Sequence, residues 1–173
     1  TNTRKSATLI LQKTWVNALI NDTASLSATG IANGPGAGFV STANAANETD
    51  TGSAATMFAG ETATLGETLS APANYTGVLS CVNGANNQAV TVTNNQVTMP
   101  GTPIAIVCTW TNTRNAGSIQ LKKTWVNATV NDTASLTATG IANSATAALN
   151  STANAANETD TGIFLAPTAT GKI

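Results

Sequence analysis

The sequence contains no histidine, and charged residues make up only 9% of its 173 positions, with a net charge of −1. Histidine is the commonest metal ligand and a frequent general base. Because histidine is absent and tyrosine occurs once, no pair of nucleophile and base for catalysis can be assembled. The low charge gives no electrostatic basis for binding nucleic acid. We therefore expect a protein that is not an enzyme, binds no nucleic acid and carries no metal or other cofactor.

Long apolar runs are also missing. No stretch approaches the roughly 18 consecutive apolar residues that a membrane-spanning helix needs, so membrane insertion is not expected. Ala, Thr, Asn, Ser and Gly dominate, and the Lys and Glu residues that favour long helices are few. Thr-rich alternating segments suit exposed sheets. The composition predicts a secreted, all-β surface protein of low charge.

What the sequence does contain is an internal repeat at an offset of 110 residues (111 − 1). Thr1–Arg4 recurs from Thr111, and the sequence STANAANETDTG occupies both Ser41–Gly52 and Ser151–Gly162. A period this long corresponds to a whole domain rather than to one turn of a solenoid. The chain therefore reads as part of a tandem array, and arrays of this kind usually work through length and mechanical continuity.

The repeat sets the expected domain boundaries. Residues 1–4 are predicted to be the tail of a preceding repeat, residues 5–114 a complete β-sandwich repeat, and residues 115–173 a partial second repeat. The second repeat is interpreted as partial because nothing in it matches Glu61–Trp110; after Gly162 it continues through Ile163–Leu165 and stops at Ile173.

Short strand patterns fill the first repeat. Ala7–Val16 alternates, with Leu9, Leu11, Lys13 and Trp15 on one face. Further strands are predicted at Ala24–Ile31, Ala54–Ala59, Thr62–Ser70, Thr76–Val82, Gln88–Thr93 and Pro103–Thr113. Seven or more short strands in one repeat indicate an immunoglobulin-like β-sandwich.

Two connections between these strands are expected to be irregular. Asn33–Gly38 is rich in Gly and contains Pro, which predicts a loop. Ser41–Gly52 is interpreted as a polar connection with a short helical turn through Ala43–Ala46.

The only two cysteines, Cys81 and Cys108, each lie on a predicted strand, in phase with Leu79 and Ile106 respectively. Both are therefore expected to face the core. A disulfide between them would stabilise the domain by about 3–4 kcal/mol and imply an oxidising compartment. The alternative is two buried free thiols, which behave as small hydrophobic groups. A pair spaced this widely, without histidine, does not form a zinc pattern.

Three predicted strands each place one polar residue on an apolar face: Lys13, Glu67 and Asn112. Isolated burial of either charge is strongly disfavoured. Leu-x-Leu-x-Lys on the first strand, Leu65-x-Glu67 followed by Ala-Pro and Tyr, and Asn on the last strand together resemble the prealbumin-like B-type domains of bacterial collagen adhesins and pilins. The KTW…ETDTG and CTWTNT sequences are closer still to domains repeated in very large bacterial surface proteins.

The resemblance covers Ser6–Thr113 and the start of a second copy, although Pro72 and Tyr75 lie one residue further from Glu67 than is usual in the family. It implies a two-sheet, prealbumin-like sandwich on the bacterial cell surface, in a stalk or fibre whose partners are neighbouring repeats. It further implies an isopeptide bond in which Lys13 is the nucleophile, Asn112 the electrophile and Glu67 the proton shuttle.

Other interpretations remain open. Lys13 and Glu67 can form an ordinary ion pair at the edge of the sandwich, with Asn112 capping a turn. The chain can instead be the subunit of an extracellular filament, assembled when a strand or half-domain of one chain completes the next. Each repeat can also be a binding module for glycan or host protein, with variation at Gly34–Val40 and Ser144–Asn150.

Calcium binding is a further alternative. The acidic side chains available for it are Asp22, Glu48 and Asp50, echoed as Asp132, Glu158 and Asp160. Because calcium takes six to eight oxygen ligands and no acidic loop with its spacing exists, these side chains are expected to be solvated loop carboxylates.

Overall fold

The computed structural model describes residues 1–32, 38–139 and 147–162, and their regular structure is β-strand apart from one 3₁₀ turn at Pro72–Asn74. The prediction of an all-β protein is therefore confirmed. No helix in these residues is long and apolar enough to cross a membrane. The chain divides into two compact units, unit 1 (Thr1–Asn115) and unit 2 (Ala116–Ile173), which are described separately.

Ten strands lie in the described part of unit 1. They are β1 (Ser6–Val16), β2 (Thr23–Thr29), β3 (Gly38–Thr42), β4 (Glu48–Thr51), β5 (Ala55–Phe58), β6 (Thr62–Leu69), β7 (Tyr75–Asn83), β8 (Ala89–Val90), β9 (Gln96–Thr98) and β10 (Ile106–Arg114).

The larger sheet of unit 1 has the strand order β4-β1-β10-β7-β8. On one side, β1 pairs with β5 along its first half and with β4 along its second half, both antiparallel. On the other side, β1 pairs with β10 in parallel, from Leu9 opposite Ile106 to Val16 opposite Thr113. The first and last strands of the unit are therefore direct neighbours that run in the same direction.

The smaller sheet has the order β3-β2-β6-β9 and is antiparallel throughout. Both sheets direct alternate side chains into one hydrophobic core, with Leu9, Leu11 and Trp15 from the larger sheet and Leu26 and Leu65 from the smaller one. All five are at most 2% exposed. Two sheets that enclose one core have the arrangement of a β-sandwich.

The prediction for Ser41–Gly52 is wrong in one respect. Strand β4 occupies Glu48–Thr51 and pairs with β1, and Ala43–Ala46 contains no helical turn. The backbone groups of this segment bond across the fold instead: the Ala43 amide donates to the Asp22 carbonyl, and the Ala46 carbonyl accepts from the Ala18 amide. These long-range bonds replace the local ones that a helical turn requires.

Two short strands of the structure also differ from the sequence prediction. β9 and β3 lie in segments where the sequence predicted no strand. Gly38, expected to end a loop, begins β3; the rest of that predicted loop, residues 33–37, lies outside the described residues, as do residues 144–146 and Ile163–Ile173.

Unit 2 contains two strand pairs in its described residues. β11 (Lys122–Trp125) pairs with β14 (Glu158–Thr161), and β12 (Thr133–Ala138) pairs with β13 (Ala147–Thr152), both antiparallel. These pairs correspond in sequence to β1 with β4 and to β2 with β3 of unit 1.

A disulfide joins Cys81 on β7 to Cys108 on β10, and the two residues are directly opposite each other in the larger sheet. Both side chains face the core, at 3% and 0% exposure. The predicted disulfide is therefore present. It ties the last strand of unit 1 covalently to its antiparallel neighbour.

Replacing both cysteines with alanine should lower the free energy of unfolding by about 3.5 kcal/mol, because the bridge closes a loop of 27 residues. Urea denaturation of the double variant and the parent protein measures this difference. Reductant should destabilise the parent and leave the double variant unchanged. Equal midpoints for parent and variant without reductant would contradict the stabilising role of the bridge.

Candidate functional site

The three polar residues predicted on apolar faces meet in the core of unit 1. Lys13 comes from β1 and Asn112 from β10, in the larger sheet, while Glu67 reaches across the core from β6 in the smaller sheet. In the parallel pairing, Lys13 lies beside Trp110 and Trp15 lies beside Asn112. Lys13 and Asn112 are therefore one diagonal step apart on the same face of adjacent strands.

Glu67 contacts both of the other residues, one with each carboxylate oxygen. Lys13 Nζ lies 3.2 Å from Glu67 Oε1. Asn112 Nδ2 donates a hydrogen bond of 3.1 Å to Glu67 Oε2. Lys13 and Asn112 are 0% exposed and the Glu67 side chain is 7% exposed, so the alternative of an ion pair at the solvent-exposed edge does not describe this cluster.

Burial dominates the electrostatics of the cluster. Removal from water lowers the pKa of the Lys13 amine below its ordinary value, and the adjacent Glu67 carboxylate opposes this by favouring the charged form. A lowered pKa makes the neutral, nucleophilic amine accessible closer to neutral pH. The amine also lies 3.9 Å from the centre of the Trp15 ring, an additional contact that favours its charged form.

The Trp15 ring is itself held by a chain of hydrogen bonds. Trp15 Nε1 donates to Ser41 Oγ at 2.7 Å, and Ser41 Oγ donates to Asp50 Oδ2 at 2.6 Å. On another side, the Tyr75 ring packs against Trp15 edge to face, with centroids 5.4 Å apart. These contacts fix the aromatic surface against which Lys13 lies.

The carboxamide of Asn112 is buried and lies against a glycine. Its Oδ1 atom is buried and has no hydrogen-bond partner among the described residues. Gly77 on β7 lies directly opposite Asn112, and a Cβ there would be 3.5 Å from Asn112 Nδ2. The carboxamide is therefore held by Glu67 through its nitrogen, while its oxygen is unpaired and its nitrogen faces a residue without a side chain.

A buried amine and a buried carboxamide that both contact one carboxyl group supply the components for amide exchange, in which the amine attacks the carboxamide carbon and the carboxyl group transfers the protons. The described residues contain no group of three or more His, Cys, Asp or Glu side chains that could hold a metal ion. The acidic residues considered for calcium each bind protein groups instead. Asp22 accepts from the Tyr75 hydroxyl, Asp50 from Ser41, and Glu48 from the Asn44 amide.

Sequence reasoning identified the three central residues and missed the residues that support them. Ser41 and Asp50 carried a signal, since both belong to the block that recurs unchanged in the second repeat. Trp15 was predicted to face the core, and its link to Ser41 required knowledge of which strands are adjacent. Gly77 carried no signal of its own.

No family model, no curated protein and no solved structure matches this chain.

The single tyrosine of the chain permits a clean pH test of the site. Desolvation is the main cause that raises the pKa of Tyr75 to about 12, and its hydrogen bond to Asp22 acts in the same direction. Because the folded state keeps this proton longer than the unfolded state, the associated stability is complete below about pH 10 and is lost as the pH rises towards 12.

Absorbance of ionised tyrosine, followed against pH, should give a midpoint near 12 in the folded protein. In denaturant it should return to about 10. Asp22→Asn should lower the folded midpoint, because it removes the negative charge beside the hydroxyl. A midpoint near the ordinary value in the folded parent would show that Tyr75 is not packed as described.

Proposed function

We propose that this chain is a structural segment of an extracellular bacterial surface adhesin or fibre, built from prealbumin-like, immunoglobulin-type β-sandwich repeats that act as a mechanically stable stalk. Unit 1 is stabilised by an isopeptide bond that Lys13 and Asn112 form without an enzyme. The observation that carries the proposal is the contact of Glu67 with both residues inside the core. The protein binds neighbouring repeats of its own kind and has no catalytic turnover.

The reaction balances without a further reactant. A proton passes from the Lys13 ammonium to Glu67, and the neutral amine attacks the carboxamide carbon of Asn112. A carbon–nitrogen bond forms, Glu67 delivers a proton to the departing amide nitrogen, and one molecule of ammonia leaves. Glu67 then takes up the second proton that the attacking amine loses, so it ends in the protonated form. Burial of Lys13 supports this sequence because it disfavours the ammonium form, and Glu67 lies within reach of both nitrogen atoms.

The strand order explains why such a bond suits a stalk. Because β1 and β10 are adjacent and parallel, the start of β1 and the end of β10 lie at opposite ends of the larger sheet. A force applied through the chain ends therefore shears the pair and loads its hydrogen bonds together. A Lys13–Asn112 bond would carry that load covalently from the first strand to the last.

The disulfide supports the same interpretation. Cys108 lies four positions before Asn112 on β10, so the strand that would bear the crosslink is already bonded to β7. Disulfides persist in oxidising compartments, which agrees with an extracellular location. With both bonds in place, β1, β10 and β7 would form one covalently connected layer.

Intact mass of the full chain after reduction tests the crosslink. The proposal predicts a mass lower by one ammonia than the sequence requires, and a Lys13–Asn112 linked peptide after proteolysis. Lys13→Met and Glu67→Gln should restore the full mass, because one removes the nucleophile and the other the proton carrier.

Two variants sharpen this experiment. Asn112→Asp should yield a deficit of one water instead of one ammonia, since the leaving group changes and the geometry is retained. Lys122→Met, which removes an exposed lysine elsewhere in the chain, should leave the deficit unchanged. A parent protein with the full mass, after prolonged incubation at neutral pH, would reject the isopeptide bond.

A further inference from the structure

Trp110 on β10 carries a buried N–H group that no other group in the structure binds. Its ring packs, half-buried, against the core of unit 1, and its Nε1 atom is buried without a hydrogen-bond partner. Four buried side-chain atoms of the described residues lack such a partner, and Trp110 Nε1 is the one donor among them. Buried polar groups are nearly always hydrogen-bonded, because an unpaired one destabilises the fold, so a donor left in this state points to a role outside stability.

The other two tryptophans of the chain are bonded through the same atom. Trp15 Nε1 donates to Ser41 Oγ, and Trp125 Nε1 donates to Ser151 Oγ, each at 2.7 Å. Trp110 differs from both, because its indole N–H gives up no existing hydrogen bond when an acceptor is presented to it.

The strand register places Trp110 beside both reacting residues. Asn112 is two positions further along β10, so the two side chains leave the same face of the strand, with Cα atoms about 6.6 Å apart. In the parallel pairing with β1, Trp110 lies directly beside Lys13. Trp110 is therefore the neighbour of the amine on one side and of the carboxamide on the other.

The acceptor that matches this donor is the carboxamide oxygen of Asn112. This Oδ1 atom is also buried and unpaired, whereas the nitrogen of the same group is bonded to Glu67. The two remaining unpaired atoms fit less well. Oε1 of Glu67 already faces the Lys13 amine at 3.2 Å, and Asn17 lies four positions (17 − 13) beyond the residue that is paired with Trp110.

We propose that Trp110 is a catalytic residue of the isopeptide reaction, in which its Nε1–H stabilises the negative charge that develops on the Asn112 oxygen. The inference rests on the proposed function and adds a group to the three that the family resemblance assigns. When the Lys13 amine attacks, one electron pair of the carbonyl double bond moves to the oxygen. When ammonia leaves, that pair returns and the oxygen is again an amide carbonyl. Trp110 keeps its proton throughout, so the balance of the reaction is unchanged.

The gain from this hydrogen bond falls on the transition state. A neutral carboxamide oxygen is a weaker acceptor than an oxyanion, and the difference is larger in a buried site of low dielectric. Interactions that strengthen only as the reaction proceeds lower the barrier, whereas equal binding of the starting state does not. Glu67 holds the nitrogen side of the carboxamide, so stabilisation on the oxygen side requires a separate donor.

The rate of bond formation tests this role. The full chain is collected in urea as it is synthesised, refolded by dilution into oxidising buffer and quenched in acid at intervals. The intact mass after reduction then gives the fraction that has lost one ammonia. Trp110→Phe should slow bond formation roughly 100-fold, because it keeps an aromatic ring and removes the donor. Trp125→Phe, which removes an indole N–H of unit 2, should leave the rate unchanged.

Two further measurements separate catalysis from folding. In the Lys13→Met background, where no bond can form, Trp110→Phe should give the same near-ultraviolet circular dichroism at the end of refolding, apart from the contribution of the lost indole. The slowing by Trp110→Phe should be the same factor at acidic, neutral and alkaline pH, because the indole does not titrate. A slowing confined to one part of the pH range would overturn the proposal and assign the N–H to Glu67, which carries the protons.

Nuclear magnetic resonance tests the contact without a substitution at Trp110. After the reaction, the new amide oxygen should accept from Trp110 Nε1, so the indole proton should resonate further downfield in the linked parent than in Lys13→Met. An unchanged resonance would overturn the proposed contact.

The outcomes distinguish this inference from the proposed function. A parent protein of full mass rejects the isopeptide bond and the role of Trp110 with it. A parent that loses ammonia, together with Trp110→Phe that reacts at the parental rate, overturns the role of Trp110 and leaves the bond in place. Equal slowing in Trp110→Phe and Trp125→Phe also overturns it, because Trp125 belongs to unit 2.

Discussion

A lysine that is fully removed from water must be neutralised, paired or bonded, and unit 1 is arranged to meet that requirement at Lys13. Taking an ammonium group out of water costs several kcal/mol, and apolar side chains provide no opposite charge or hydrogen bond to offset that cost. Glu67 meets the need from the opposite sheet, so the two layers of the sandwich are joined by a charged contact as well as by apolar packing. Because Glu67 must lie beside Lys13, β6 can take fewer positions across the core from β1 than non-directional hydrophobic burial alone would allow.

Strand β10 takes part in three further interactions that hold unit 1 together. It pairs in parallel with the first strand, carries the disulfide to β7, and presents Asn112 to Glu67. Each of these contacts ties the end of the unit to its beginning or to a neighbouring strand. A repeat built in this way is suited to transmit force, because the path from the first strand to the last crosses a single strand pair. The described part of unit 2 repeats the pairing at the start of this arrangement, with β11 paired to β14 as β1 is paired to β4.

The parts of this structure that could be predicted from sequence are strands in which core-facing and outward-facing residues alternate strictly. In Ala7–Val16 the period of two residues placed Lys13 on the face of Trp15, and the same period placed Cys81, Cys108 and Asn112 inside. The edge strand β4 was not predictable in this way, because its Glu-Thr-Asp-Thr sequence is polar and it is held by pairing with β1. The hydrogen bonds from Trp15 through Ser41 to Asp50 depend on which strands lie side by side, and alternation carries no information about that.

Pulling the full chain from its two ends by single-molecule force spectroscopy under reducing conditions tests the central claim most directly. If Lys13 and Asn112 are bonded, the chain between them, with a sequence separation of 99 (112 − 13), cannot extend, and unit 1 contributes no unfolding step of that length. Lys13→Met should restore a step of roughly 350 Å, at about 3.6 Å per residue. A parent protein that shows the same step as Lys13→Met would contradict the account, since force would then pass through hydrogen bonds alone.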